Sequence, residues 1–224
     1  MPQGAPGQRT ARRVQATRSL LVLAAGAANV FGFLALGGLF TSVVTANSAT
    51  AGLRLGSADF GALRLVLLAL LGYVAGVAAG SLAAAGRGRV PGRGLLGGLL
   101  IETAALWLVV FGWLYWEGSP DAAQRAALLV LTAAAMGCQN GAIRISARGE
   151  VTTAYLTGMV TSTVAVLVTQ GRVVWRNVGT AVLFTAGAAA AGAAFRWVHL
   201  GTPVIPALLV TVALATHEPS AQQR

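Results

Sequence analysis

The chain has 224 residues, of which 56% are hydrophobic and only 10% charged, with a mean hydropathy of +0.72. Soluble domains carry about 25% charged residues, so a water-soluble globule is excluded. The net charge of +10 comes from 16 basic residues, all Arg, most of them in the first tail or in short connections between apolar runs. That placement orients a membrane protein and gives no nucleic-acid interface. A single Cys, Cys138, excludes an internal disulfide and a multi-Cys metal centre.

Residues 1–17 read as a polar, disordered tail. The apolar run from Leu20 to Phe40 is longer than the core of a cleaved signal peptide, which spans about 7–15 residues, so it is expected to stay as the first of eight helical segments. The first covers about 19–38. The second, about 40–54, is short and rich in Ser, Thr and Asn. The third and fourth cover about 59–85 and 94–116, and the fifth about 122–146. The sixth, about 151–170, opens on Thr152, Thr153 and Thr157. The seventh and eighth cover about 177–198 and 202–216, before a polar tail from 217 to 224. Turn signals lie at Pro91-Gly92, Ser119-Pro120-Asp121 and Gly201-Thr202-Pro203.

The chain repeats. Asn29 precedes Thr41 by 12 residues and Asn140 precedes Thr153 by 13; each Asn sits late in an apolar helix, before a helix rich in small residues. Two halves, about 19–116 and 122–216, are implied. Charge then decides how many segments cross. Eight crossings would place 10 Arg on the N-terminal side and 6 on the other. Six crossings, with segments two and six dipping in and returning, place 12 and 4, and keep the cluster Arg87, Arg89, Arg93 with the N-terminus. Short basic loops dominate orientation. The expected fold is therefore all-α: a polytopic membrane helix bundle of about six spans plus two short polar broken or re-entrant helices. Three crossings per half make the repeat inverted, an architecture that recurs in carriers.

Three runs carry a resemblance to a known family. The stretch from Gly32 to Asn47, reading GFLALGGLFTSVVTAN, resembles the first signature of the YoaK family, also called the DUF1275 domain. The stretch from Ala135 to Arg144 resembles its second signature, and Thr152 to Gly158 its third. The resemblance covers about 19–215. It implies a bacterial inner-membrane protein of six spans and implies no chemistry. Two positions depart from the family pattern: Asn29 stands where an acidic residue is frequent, and Ala46 replaces a Gly.

The candidate substrate path comprises Asn29, Thr41, Thr45, Asn47, Gln139, Asn140, Thr153 and Thr157. Amides and hydroxyls recurring at three- and four-residue spacing share a helix face and suit a small polar solute. The same groups serve equally as interhelical hydrogen bonds or as hydroxyls bonded back to their own helix. Glu102, about nine residues into the fourth segment, is a candidate proton or cation relay, because a carboxyl at that depth is costly and by default functional; a pair with Arg64, Arg144 or a Thr is the alternative. Gly72, Gly76 and Gly80 read as a packing seam between the halves or between two protomers. Trp107, Trp113, Tyr115 and Trp116 read as an interfacial aromatic belt. No P-loop, dinucleotide fingerprint or HExxH motif is present, and His199 and His217 are too isolated for a metal site. The expected partners are the lipid bilayer, a small-molecule solute and a second copy of the chain. Neither cofactor, metal nor enzymatic activity is expected. The expected location is the bacterial cytoplasmic membrane with the N-terminus inside, and the rival to a carrier is a scaffold or regulatory subunit.

Overall fold

The computed structural model describes residues 6–86, 93–146 and 156–217. Among them are eight α-helices: α1 (Pro6–Ala35), α2 (Val44–Gly56), α3 (Phe60–Gly86), α4 (Arg93–Tyr115), α5 (Ala122–Ser146), α6 (Leu156–Gln170), α7 (Trp175–Trp197) and α8 (Val204–Thr216), the last preceded by a 3-10 turn, His199–Gly201. Six stretches are long and apolar enough to span a bilayer, in α1, α3, α4, α5, α7 and from His199 to Thr216. The protein is thus a multi-pass membrane bundle, with α2 and α6 as its two short helices. Residues 6–17, expected as a disordered tail, instead continue α1. Pro6 fits a helix start, where its missing N–H is not needed, and the Ala, Arg and Gln that follow are good helix formers.

The helix ends follow local rules. Asp121 and Gln124 cap α5 reciprocally, each side chain accepting from the other's backbone N–H at 2.9 Å. Asp59 accepts from Ala62 N–H at 3.1 Å to start α3 and pairs with Arg54 at 3.1 Å. α1 stops at Gly37 and Gly38, whose φ angles of 110° and 75° suit only glycine without strain, and Gly38 N–H returns to Phe33 O.

Two glycine seams hold the bundle. A Cβ at Gly72, Gly76 or Gly80 of α3 would run into the backbone of Val130, Ala134 or Cys138 of α5, respectively. Numbers rise together along the two helices, so α3 and α5 run parallel. In return Gly137 sits against Tyr73 and Val77. The other seam joins α1 and α7 in the same way: Gly187 sits against Leu23, and Gly26 against Phe184 and Ala188. A shift of 111 residues carries Gly26 to Gly137 and Gly76 to Gly187, and it carries their contacts, Leu23 to Ala134, Tyr73 to Phe184 and Val77 to Ala188. The same shift carries Asn29 to Asn140. The helix pairs correspond too: α3 packs on α5 as α7 does on α1, and α4 packs on α5 as α8 does on α1.

The halves are antiparallel. Phe31, late in α1, shares a cluster with Leu128 and Leu129 at the start of α5, while Leu21, earlier in α1, accepts from Gln139 near the end of α5. One end of the bundle gathers the start of α1, the end of α8 (Thr17 to Thr216, 3.5 Å) and the α3–α4–α5 junction, where Gly94 lies against Ala84 and Ser146. The opposite end gathers Phe31, Leu36, Val66, Trp113 and Leu128.

These seams make a sharp prediction. Gly76→Leu and Gly187→Leu place side chains against backbone that cannot yield, and overpacking of this kind costs about 1–3 kcal/mol or more. Both variants should lower the unfolding temperature in detergent or lose monodispersity, whereas Gly86→Leu, which meets nothing within 4 Å, should not. Equal behaviour of the three variants in a melting and size-exclusion series would rule out the seams.

Candidate functional site

The residues that break the first half's polar segment meet around Asn29. After α1 the chain turns at Gly37-Gly38, folds back as residues 39–43 and starts α2 at Val44. This returning stretch lies alongside α1: a Cβ at Gly32 would strike Thr41 at 2.5 Å and Leu39 O at 3.0 Å. Its backbone has no helix of its own to bond with, and an unsatisfied peptide group at membrane depth costs several kcal/mol. Asn29, 1% exposed, answers that need. Its Nδ2 donates to Ser42 Oγ (2.7 Å) and Ala25 O (2.8 Å), and its Oδ1 accepts from Ser42 N–H (3.0 Å) and Thr41 Oγ1 (3.5 Å). From the other side Asn47 of α2 holds Phe40 by both of its backbone groups, donating to Phe40 O (2.6 Å) and accepting from Phe40 N–H (3.3 Å). Two asparagines thus bracket the break.

The expected substrate path divides accordingly. Asn29, Thr41 and Asn47 come together, joined by Ser42. Thr45 lies in the first turn of α2 and is exposed. Thr157 is exposed on α6, a helix with no buried residue that packs against α7. The polar stripe expected to unite Thr45 with Thr157 is therefore not formed by these two side chains: α2 buries Asn47 but leaves Thr45 exposed, and α6 buries no residue. Thr153 lies outside the described residues, as do Arg87 and Arg89. The hydroxyl partners of Asn29 among the described residues are Thr41 and Ser42 of its own half. Gln139 and Asn140 are buried on α5, where Gln139 Nε2 donates to Leu21 O (3.3 Å) across the halves and Asn140 Nδ2 to Tyr73 Oη (3.1 Å).

Glu102 stands apart. It is the tenth residue of α4, it is 0% exposed, and neither carboxyl oxygen has a hydrogen-bond partner among the described residues. The expected alternatives are not realised: Arg64 and Arg144 lie near helix ends, away from the middle of α4, and Thr103 bonds back to Leu99 O at 2.7 Å. One turn away on either side, Leu99, Ala105 and Leu106 face a core shared with Leu21, Ala135, Met136 and Val210, and Glu102 shares that face. An ionisable neighbour is Cys138 of α5, close enough to interact electrostatically, whose thiol donates to Gly98 O at 3.5 Å. The position 111 residues on is Ala213, also fully buried.

The aromatic group at the end of α4 is only partly a belt. Tyr115 is exposed, but Trp113 is 1% exposed. It meets Phe31 edge to face at 5.2 Å and His199 at 5.1 Å, and Trp107 donates to Thr211 at 3.0 Å. His199 also bonds Gly118 O at 3.2 Å. That contact ties the α7–α8 turn to the link between the halves. Ser42, Tyr73 and His199 were not singled out in the sequence as site residues. Ser42 had a signal, its place beside Thr41; the others are placed by packing between distant segments.

The family described as "Protein of unknown function (DUF1275)" matches residues 18–216. No curated protein and no solved structure matches the chain.

The asparagine bracket is testable. Asn29→Leu strands the Ser42 N–H and two hydroxyls, at about 1–3 kcal/mol for each buried group left unpaired. The variant should melt earlier in lipid nanodiscs, and a Cys placed at position 42 in a Cys138→Ala background should become reactive to a membrane-permeant maleimide. A Ser42→Cys thiol that stays equally unreactive with and without the Asn29→Leu substitution would show that the bracket does not hold this segment.

Proposed function

The chain belongs to the DUF1275 family, and from that premise we propose that it is a secondary carrier or channel-like protein for a small solute in a bacterial cytoplasmic membrane. The observation that carries this reading is the antiparallel repeat: two halves of three spans each, both with one short helix beside the spans. Carriers built from inverted repeats bind near the midplane, where helices break, and alternate access by rocking one packed bundle against another. The break at residues 36–43 follows the full span of α1 at one end of the bundle and folds back along α1 as far as Asn29, which brings polar groups into the first half. The glycine seams tie α3 to α5 and α1 to α7 across the halves; with α4 on α5 and α8 on α1 they make two bundles that mix the halves, and these meet at α4 and α8 without a glycine-to-backbone lock, which suits relative motion there. Motifs of soluble enzymes are lacking, and we take the protein to act without covalent chemistry.

We place the N-terminus in the cytoplasm. The end of the bundle that carries the start of α1 also carries Arg12, Arg13, Arg18, Arg144, Arg172 and Arg176. The other end carries Arg54, Arg64, Arg125 and Arg196 with Asp59, Glu117 and Asp121. An excess of Arg marks the cytoplasmic side.

A second reading, a non-transporting scaffold or regulatory subunit, draws on the fact that Asn29, Thr41, Ser42, Asn47 and Phe40 bond to one another. A proteoliposome screen against a broad solute library, with and without an imposed proton gradient, separates the two. Flux of at least one solute class is expected. No flux with any class, from protein that is folded and oriented, would leave the scaffold. Orientation is read separately: an impermeant thiol reagent added outside intact cells should label Ser119→Cys and spare Gly88→Cys, and the reverse pattern would invert the topology.

A further inference from the structure

We propose that Glu102 is the proton-binding site of this protein, taking up and releasing one proton at the contact between its two halves. Three observations converge on it. The carboxyl is fully buried in α4, a helix of the first half that packs against α5 and α8 of the second. Neither oxygen has a hydrogen-bond partner among the described residues. Among those residues, no cation faces it from any packed element. On α5 the ionisable groups are Cys138, whose thiol brings no positive charge, and Arg125 and Arg144, near the two ends of the helix. On α3, Tyr73 is engaged by Asn140 and Arg64 lies at the far end. α8 carries no charged residue between Val204 and Thr216, and Arg12, Arg13 and Arg18 of α1 stand near its start.

A bare carboxylate in such a place is strongly disfavoured, and breaking its solvation without a partner charge is among the costliest events in a fold. The group must be neutralised by what it binds. A hard metal cation takes about six oxygen ligands, and the side chains sharing this face, Leu99, Ala105, Leu106, Ala135 and Met136, offer none. Nearby Cys138 and Thr103 direct their hydrogens to Gly98 O and Leu99 O. A proton needs one carboxyl oxygen and nothing more. Glu102 is also one-sided: Ala213 fills the equivalent position of the other half, so the repeat holds one such group and the stoichiometry is one proton.

The cycle is simple. In the buried state Glu102 is the neutral acid. When the α3–α4–α5 and α1–α7–α8 bundles rock and water reaches the α4–α8 contact from one side, the O–H bond breaks and the proton passes to that water; a proton from the opposite side re-forms it in the alternate state. No other bond changes. The coupling role rests on the carrier reading above, whereas the proton site does not need a solute to be seen.

The test uses the full chain reconstituted in phosphatidylethanolamine–phosphatidylglycerol vesicles, with protons and deuterons as the probe. Infrared spectra at neutral pH should show a protonated-carboxyl carbonyl band that shifts in heavy water, vanishes in Glu102→Gln and moves in Glu102→Asp. Thermal melts should show both variants folded. For any solute that gives flux, the proton gradient should drive wild-type transport and lose its effect in Glu102→Gln. Identical wild-type and Glu102→Gln spectra overturn the site whatever the flux. A Glu102 band with no flux in any solute sustains the site and removes the carrier.

Discussion

The bundle depends on backbone-to-backbone contact at glycine. Lipid tails are as apolar as the helices, so burial from lipid supplies no driving force, and association rests on van der Waals fit and on polar contacts. Gly72, Gly76, Gly80, Gly137 and Gly141 let α3 and α5 approach until one helix lies against the carbonyls of the other. Gly26 and Gly187 do the same for α1 and α7. Each seam joins a helix of one half to a helix of the other, so the halves cannot be separated without opening both. Everything else, the two short helices and the placement of α4 and α8, hangs on these two pairs.

A bundle locked this way can still carry a break, provided that the broken backbone is satisfied. Residues 36–43 leave the helical ladder, and the two asparagines replace bonds that they lose. That is why polar residues gather here within an apolar chain. The amides hold the returning backbone, and at position 29 an asparagine both donates and accepts. Donation to Ala25 O and Ser42 Oγ is something a carboxylate cannot do.

Glu102 obeys no such logic. Among the described residues, the fold supplies it with no hydrogen bond and no counter-charge. Packing alone would have been served better by the alanine that the second half has at position 213. A carboxyl held without partners where α4 meets the second half is the observation on which the proton-binding proposal rests. The polar bracket, by contrast, is as useful to a scaffold as to a carrier.

Composition and charge placement alone determined the class: a chain this apolar must lie in a membrane, and short Arg loops admit six crossings more readily than eight. Three crossings per half then required antiparallel halves, and Gly72, Gly76 and Gly80 already announced a seam. Helix starts such as Asp121 and stops such as Gly37-Gly38 were local in the same sense. What Asn29 touches was settled only by tertiary structure, because spacing gives a face of a helix and not the path of the chain that returns to it. Periodicity also grouped Thr45 and Thr157, yet exposure depends on how α2 and α6 are rotated, which their neighbours decide. Trp113 looked like a membrane anchor and became core, since Phe31 and His199 come from segments far along the chain. Glu102 was visible in the sequence as an anomaly; that no described residue neutralises it is a fact of three-dimensional packing, and no sequence pattern carries the absence of a partner.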